Sequence, residues 1–340
     1  MNCGNLPVKS IKKRSEKRKI TFTACVLFIA GPLLLTAFMI LPGCMQAGSN
    51  EKPGVVCTTF PQYDWVLRIL GDKAAGFDLT LLSDSKIDLH NYQPSVDDIV
   101  KIYVCDLFIY VGGESDEWVD GALREATNKN MTVINLLDTL GDAAKEEEII
   151  EGAEDTDHDG EIEYDEHVWL SLNNARIFCD VIADAISFLD ADNTDVYQKN
   201  KTAYVELLSA LDAEYRKTAD SSPGKTLLFG DRFPFRYLAD DYGLKYYAAF
   251  SGCSAETEAS FATIAFLAQK TDELQLSYVM VTESSDRSVA RTVIQNTEAQ
   301  NCTILVLDSM QSVSSVDLQN GVTYLSVMEN NLEVLKEALK

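Results

Sequence analysis

Apolar and polar positions along this chain follow two alternating periods, one typical of buried strands and the other of amphipathic helices. Apolar runs of six to eight residues recur eight times, and stretches with helical spacing separate most of them. This rhythm predicts mostly parallel sheets that are covered by helices on both faces. The predicted strands are residues 54–60, 77–83, 106–113, 131–137, 225–230, 244–250, 277–282 and 303–308.

The longest predicted helix, residues 194–218, contains neither Gly nor Pro and ends before the Ser-Ser-Pro-Gly breaker at residues 221–224. We therefore expect an α/β fold of two lobes, each a mostly parallel sheet flanked by helices, joined by one long rigid helix. The lobes are predicted over residues 54–192 and 221–340, with the linking helix over residues 193–220. The other predicted helices are residues 62–70, 96–103, 117–126, 171–189, 235–241, 257–271, 288–299 and 325–339.

The first 44 residues follow a different pattern. A basic run over residues 9–19 precedes an uncharged apolar run over residues 20–41, which is the order of a secretory signal. The sequence Leu-Pro-Gly-Cys that ends at Cys44 resembles a bacterial lipobox, so Cys44 is the predicted lipidation site and residues 45–53 a tether. An uncleaved signal anchor is the alternative, because the apolar run is long enough to span a bilayer. Either way, we expect the folded part to be extracytoplasmic and anchored to the cell membrane.

The net charge of the rest of the chain excludes one class of partner. Residues 44–340 carry 22 Lys and Arg against 52 Asp and Glu, a net charge of −30. Phosphate binding needs a basic surface, so we expect no nucleic-acid partner. Excess carboxylate instead raises the local concentration of cations. We expect the protein to be a monomer.

The acidity is concentrated in residues 146–166, where twelve of 21 residues are Asp or Glu and none is Lys or Arg. So many carboxylates cannot be buried together, which predicts a solvated loop that concentrates cations. Residues 155–166 also match the spacing of an EF-hand, so an ordered Ca²⁺ site is the alternative to a mobile collector. The residues of this secondary cation loop are Asp155, Asp157, His158, Asp159, Glu163 and Glu166.

Several ligand-type residues follow predicted strands directly. His90 follows the second strand, Asp231 the fifth, Glu283 the seventh and Asp308 the eighth, while His167 closes the acidic loop. Open parallel sheets bind ligands beyond the carboxyl ends of their strands. We therefore expect these side chains to converge on a crevice between the lobes, where about four of them would hold a divalent ion.

Two of these histidines lie in motifs that resemble those of the metal-binding lipoproteins of bacterial ABC transporters, the zinc and manganese uptake family. Residues 88–99, DLHNYQPSVDDI, are similar to the family motif His-x-Tyr-x-Pro-Ser. Residues 165–175, DEHVWLSLNNA, are similar to the motif Asp-Pro-His-x-Trp-Leu-Ser. The resemblance implies that His90 and His167 bind metal and that Asp308 supplies the fourth ligand.

The third ligand departs from the family pattern. Zinc-type members have His-Asp-Ala-Phe and manganese-type members Glu-Gly-x-Phe, where this chain has Gly-Asp-Arg-Phe at residues 230–233. Asp231 is the nearest carboxylate and is the predicted third ligand, with Glu283 in reserve. Two imidazoles and two carboxylates suit Zn²⁺, with Mn²⁺ as the alternative.

The resemblance implies a solute-binding protein that captures a divalent ion, zinc first, between its lobes and delivers it to a membrane ABC permease. We expect no enzyme activity, because the sequence has no Gly-x-Ser-x-Gly elbow, no phosphate loop and no His-Glu-x-x-His. A manganese-binding member, a metal-dependent adhesin and a zinc hydrolase are the alternatives.

The cysteines after Cys44 do not predict a thiolate metal cluster, because they form no Cys-x-x-Cys pair. We expect Cys57, Cys105 and Cys179, which lie in apolar runs, to be buried as small apolar side chains. Cys253 and Cys302 lie at strand edges, and the sequence leaves open whether they form a disulfide.

Overall fold

The computed structural model describes residues 52–83, 89–148, 150–152, 163–254 and 258–340. Within these ranges, no helix is both long and apolar enough to cross a membrane. Several predictions lie outside the described residues, namely those for the signal segment with Cys44, for the tether before Lys52 and for Asp155, Asp157, His158 and Asp159.

Two four-stranded parallel sheets form the centres of the two lobes, as the alternating pattern predicts. The strands of the N-terminal sheet are β1 (Gly54–Cys57), β2 (Asp78–Leu81), β3 (Leu107–Tyr110) and β4 (Thr132–Asn135). Those of the C-terminal sheet are β5 (Thr226–Arg232), β6 (Lys245–Phe250), β7 (Tyr278–Thr282) and β8 (Thr303–Leu307). The strand orders are β2-β1-β3-β4 and β6-β5-β7-β8, so the order in which successive strands are added reverses once in each sheet. Ligand sites in such sheets form beyond the carboxyl ends of the strands at this reversal.

Helices flank both sheets. In chain order, the described α-helices are α1 (Phe60–Leu70), α2 (Val96–Val104), α3 (Trp118–Glu125), α4 (Leu136–Leu140), α5 (Leu172–Leu189), α6 (Thr194–Ser221), α7 (Arg236–Tyr242), α8 (Phe261–Glu273), α9 (Ser288–Gln295), α10 (Ser315–Gln319) and α11 (Tyr324–Ala338). The predicted lobes and linking helix follow this order, and their exact boundaries stay predictions.

The sequence pattern missed α4 and α10 and misplaced some helix ends. The fourth strand ends at Asn135, because the Asn135 side chain caps α4 by accepting from the backbone N–H of Asp138 at 3.1 Å. Helix α8 starts at Phe261, four residues later than predicted, because Ser260 Oγ accepts from the backbone N–H of Thr263 at 3.1 Å. Local side-chain caps thus set boundaries that hydrophobic periodicity does not resolve.

The long helix α6 packs along both lobes rather than bridging them through solvent. It spans 28 residues, which corresponds to about 42 Å. It contacts α1 and α5 of the N-terminal lobe and α7 and α11 of the C-terminal lobe. Its buried residues recur at helical spacing, and they are Tyr197, Tyr204, Leu208, Leu211, Tyr215 and Ala219.

One apolar core continues from the N-terminal lobe through α6 into the C-terminal lobe. It contains Val55 of β1, Phe178 of α5, Phe229 of β5 and Leu332 of α11. Two smaller clusters cover the outer faces of the sheets. Close-packed interiors resist sliding, so we expect the lobes to move little relative to one another.

A pair of adjacent leucines in α6 tests the role of this core. Leu208 is fully buried, whereas Leu207 is 52% exposed on the same helix turn. Leu208→Ala should lower the free energy of unfolding by about 2–5 kcal/mol, because it leaves a cavity in a packed core. Leu207→Ala is the matched control and should change it by no more than about 0.5 kcal/mol. Urea unfolding followed by circular dichroism measures both, and equal effects would contradict the packing described for α6.

Candidate metal centre

The first histidine of the site, His90, lies in a short 3-10 turn, Leu89–Asn91, beyond the carboxyl end of β2. Its Nδ1 lies 2.8 Å from Ser115 Oγ and 3.5 Å from Glu166 Oε2. The side chain is 10% exposed, so the ring is largely enclosed but still reached by solvent. These contacts on Nδ1 leave Nε2 directed away from Ser115 and towards the second histidine.

The second histidine, His167, is fully buried immediately before the 3-10 turn Val168–Leu170 that leads into α5. A single oxygen of Asp165 lies 2.8 Å from the His167 backbone nitrogen and 3.1 Å from its Nδ1. An ionised carboxylate can only accept hydrogen bonds, so this geometry assigns the ring proton to Nδ1. The lone pair of Nε2 then faces the site, in the manner of a metal-binding histidine that is oriented by a carboxylate.

The two Nε2 atoms of His90 and His167 face each other at 3.3 Å. A tetrahedral zinc ion with Zn–N bonds of about 2.05 Å places two nitrogen ligands about 3.3 Å apart. The spacing and the direction of the two rings therefore match two corners of one tetrahedral site.

A third metal-type side chain reaches this site from the other lobe. Cys253 lies three residues beyond the end of β6. One ring nitrogen of each histidine and Sγ of Cys253 all lie within 4.8 Å of one another, and among the described residues these three form the group with metal-ligand spacing. Burial raises the pKa of the Cys253 thiol well above its ordinary value, and the charges of Asp165, Glu147 and Glu166 raise it further.

The segment that carries Cys253 is packed closely against the second histidine. The backbone N–H of Cys253 donates to Glu147 Oε1 at 3.0 Å. A Cβ on Gly252 would lie 3.3 Å from His167 Nδ1 and 2.9 Å from the carbonyl oxygen of Phe233. A residue without a side chain at position 252 thus allows the backbone of the C-terminal lobe to touch the His167 ring.

Buried carboxylates surround the histidines. Glu166 Oε1 accepts from the backbone N–H of Ser115 at 2.8 Å. Burial raises the pKa of Glu166 to about 7, although the hydrogen bonds from Ser115 act to lower it. Asp116 accepts from the backbone N–H groups of Val111 and Gly112 at 2.9 Å, and burial raises its pKa to about 6. A cation between the histidines would favour the ionised forms of these groups by Coulomb attraction.

Asp231, the predicted third ligand, lies near the end of β5 and is bonded to the neighbouring strand. Its Oδ2 accepts from the backbone N–H of Thr282 at 2.9 Å and from the Thr282 hydroxyl at 2.8 Å. These bonds tie β5 to the end of β7. Asp231 does not belong to the group formed by the two histidines and Cys253.

Asp308 and Glu283, the predicted fourth ligand and the reserve, lie together beyond β8 and β7. Glu283 accepts from the backbone N–H groups of Ser309 at 2.7 Å and Gln311 at 3.2 Å. Burial and the nearby charge of Glu283 raise the pKa of Asp308 to about 7. The loop after β8 contacts the N-terminal lobe, since Trp169 Nε1 donates to the carbonyl of Ser309 at 2.9 Å. Neither carboxylate belongs to the three-residue group, and their role as ligands stays a prediction.

The acidic loop is closed at its base by backbone pairing. Glu146 and Tyr164 form an antiparallel bridge, and the backbone N–H of Glu147 donates to the carbonyl of Glu163 at 2.8 Å. An EF-hand needs a bidentate carboxylate at its twelfth position, which is Glu166 in this chain. The structure places Glu166 beside His90 and Ser115, and the Ca²⁺ site stays a prediction.

Of the predicted site residues, the structure brings His90 and His167 together, and it adds Cys253, which the sequence analysis did not select. Cys253 and Cys302 are both free thiols. The signal that could have found Cys253 was its place just beyond the carboxyl end of β6. The positions after β2, β5, β7 and β8 carry His, Asp or Glu, whereas the position after β6 carries a cysteine.

Comparisons with known proteins show which family this chain resembles. The family model described as zinc-uptake complex component A, periplasmic, matches residues 55–338. The zinc-binding lipoprotein AdcA of Streptococcus pneumoniae is 31% identical over 305 residues, which are 89% of this chain and 59% of AdcA. This chain therefore spans less than two thirds of that relative. The high-affinity zinc uptake system protein ZnuA of Bacillus subtilis is 30% identical over 322 residues, 90% of this chain and 96% of ZnuA.

A solved structure of a zinc-bound relative has a similar fold. The Zn(II)-bound ZnuA-like domain of Streptococcus pneumoniae AdcA matches with a TM-score of 0.66 at 29% identity. The match covers 85% of this chain and 99% of that domain. The prediction of two α/β lobes joined by a long helix is confirmed.

The raised pKa of Asp116 can be tested through the pH dependence of stability. Asp116 lies next to Ser115, which contacts His90. Its folded pKa of about 6 exceeds the unfolded value of about 3.9. The folded state therefore keeps the proton to higher pH, and stability falls as the pH rises from about 4 to about 6. Asp116→Asn keeps an acceptor for Val111 and Gly112 and should remove the part of this fall that Asp116 causes. The parts caused by Glu166 and Asp308, whose pKa values are also raised, should remain.

At about pH 7.5 the Asp116→Asn variant should be more stable than the metal-free wild type by roughly 2–3 kcal/mol, since one pKa unit corresponds to about 1.4 kcal/mol. Urea unfolding across this pH range measures the difference. Asp120→Asn, an exposed position in α3, is the control and should keep the wild-type slope. A wild-type slope in the Asp116→Asn variant as well would contradict the assignment.

Proposed function

Because this chain belongs to the family of periplasmic zinc-uptake complex component A proteins, we propose that it captures a zinc ion outside the cytoplasm and delivers it to a membrane ABC permease. The observation that carries the proposal is the 3.3 Å spacing of the Nε2 atoms of His90 and His167. The contacts at both Nδ1 atoms hold the rings with their Nε2 atoms directed at one point, so little movement of the rings is needed on binding.

The choice of zinc over manganese rests on the donor atoms. Imidazole suits zinc, whereas manganese favours carboxylate and water oxygens. The relatives AdcA and ZnuA are both named for zinc. Manganese is the alternative cargo, and a competition experiment decides between the two ions.

We propose that the ion is bound and handed on rather than used in catalysis. The family model describes an uptake component, which supports binding and transfer of the ion rather than catalysis. A hydrolase would need an open metal position and a general base. Turnover of ester or peptide substrates by the purified, zinc-loaded protein would favour the hydrolase alternative.

The lipid anchor at Cys44 is part of the proposal. The Leu-Pro-Gly-Cys sequence and the apolar run before it support it. In cells expressing the full chain, a labelled fatty acid should be incorporated into the wild type and not into Cys44→Ala. Labelling of both forms alike would contradict an anchor at Cys44.

Removal of the histidine pair tests the cargo site. The His90→Ala/His167→Ala double variant should lose zinc affinity by much more than about 100-fold, the upper range for losing an outer partner of a metal ligand. Elemental analysis of protein purified without chelator, followed by titration against a competing chelator, measures stoichiometry and affinity. Tyr110→Phe, a half-buried position in β3 outside the site, is a folding control. Unchanged affinity in the double variant would refute the site.

The same titration decides whether Asp231 and Asp308 are ligands, as the sequence predicts. If they are, Asp231→Asn and Asp308→Asn should each weaken zinc binding about as much as His90→Ala. If Asp231 instead ties the strands together through Thr282, its variant should lose roughly 1–3 kcal/mol of stability and keep its affinity.

A further inference from the structure

We infer that Cys253 is the third protein ligand of the captured ion and that its thiolate makes the site selective for zinc over manganese. This inference rests on the proposed function, because it concerns the same ion. It differs from the ligand set that the family resemblance implies, in which residues 230–233 supply the third ligand. The geometry that points to it is the grouping of Cys253 Sγ with one nitrogen of His90 and of His167 within 4.8 Å.

The surroundings of Cys253 differ from those of the other cysteines that the structure describes. Cys57 and Cys179 lie in the shared apolar core, Cys105 lies in the outer cluster of the N-terminal lobe, and Cys302 packs against the outer cluster of the C-terminal lobe. Cys253 belongs to none of these clusters. A buried cysteine usually acts as a small apolar side chain, but the neighbours of Cys253 are imidazoles and carboxylates.

The backbone around Cys253 holds its side chain at the histidines. The N–H of Cys253 is bonded to Glu147 at 3.0 Å, at the base of the acidic loop. The preceding residue, Gly252, packs directly against the His167 ring. The thiol therefore approaches from the C-terminal lobe, while both imidazoles belong to the N-terminal lobe.

The distances suit a tetrahedral ion after a small inward movement. A zinc ion with Zn–S of about 2.3 Å and Zn–N of about 2.05 Å places sulfur about 3.6 Å from each nitrogen. The three ligand atoms lie within 4.8 Å of one another, so Sγ would have to approach each nitrogen by at most about 1.2 Å to reach that separation. Such a shift lies within the reach of a side-chain rotation in the segment that carries Cys253.

The chemistry of the third ligand decides the preference for the ion. Thiolates bind zinc and other soft or borderline ions well, whereas manganese prefers hard oxygen ligands. Two imidazoles and one thiolate therefore favour zinc strongly. If Asp231 were the third ligand instead, the discrimination against manganese would be weaker.

Cobalt substitution gives a readout that reports sulfur ligation directly. The wild type loaded with Co²⁺ should show a thiolate-to-metal charge-transfer band in the near ultraviolet. Cys302→Ser, the matched control at a half-exposed cysteine, should keep the band, and Cys253→Ser should lose it. Cys253→His should keep tight zinc binding without the band, because an imidazole can replace the thiolate as a ligand.

Affinity titrations complete the test. Cys253→Ser should weaken zinc binding by at least about 100-fold, more than the loss of an outer partner causes, and should narrow the preference for zinc over manganese. In the wild type, zinc should also protect Cys253 from alkylation, as followed by peptide mass spectrometry. This last measurement needs no variant to fold.

The outcomes separate this inference from the function on which it rests. If the wild type binds one zinc ion through His90 and His167 but shows no charge-transfer band, no protection and no loss in Cys253→Ser, the thiolate inference is overturned and the uptake function stands. If the wild type binds no zinc, or the double histidine variant binds it unchanged, the proposed function itself fails.

Discussion

The apolar core that the two lobes share sets the distances between the side chains of the candidate metal centre. Residues of both sheets pack with α5, α6 and α11 in one continuous cluster. His90 and His167 belong to one lobe and Cys253 to the other, so their separation depends on how the lobes pack. A close-packed interface resists sliding, and we expect capture and release to use small movements of the loops that carry the ligands.

The carboxylates of the acidic run have two different roles, one within the loop and the other at its end beside the histidines. We expect the carboxylates of the loop to concentrate cations near the site. Asp165 and Glu166, at the end of the same acidic run, are instead buried and contact the two histidines directly. Burial of such groups is costly without a counter-charge, and a divalent cation between the rings would supply it. The centre is therefore preorganised for a cation by groups that do not themselves have to bind it.

Much of the fold could be predicted from the sequence, because each strand is a short apolar run and each long helix has a clear apolar face. The family resemblance that the two histidine motifs carry is also confirmed. The pattern missed α4 and α10 because helices of five residues are too short to show a period. It also extended the fourth strand past Asn135, where a side-chain cap starts a helix.

The sequence by itself determined the two-lobed α/β class, the strand order along the chain and the two histidines, since local periodicity and short motifs encode these features. Only the tertiary structure decided which other groups meet those histidines. Cys253 joins them because β6 ends at the lobe interface and Gly252 allows close approach, whereas Asp231, also at a strand end, is bonded to Thr282. The position of a residue at a strand end shows at which edge of the sheet it lies. The packing of the two lobes decides which of these side chains come within bonding distance of one ion.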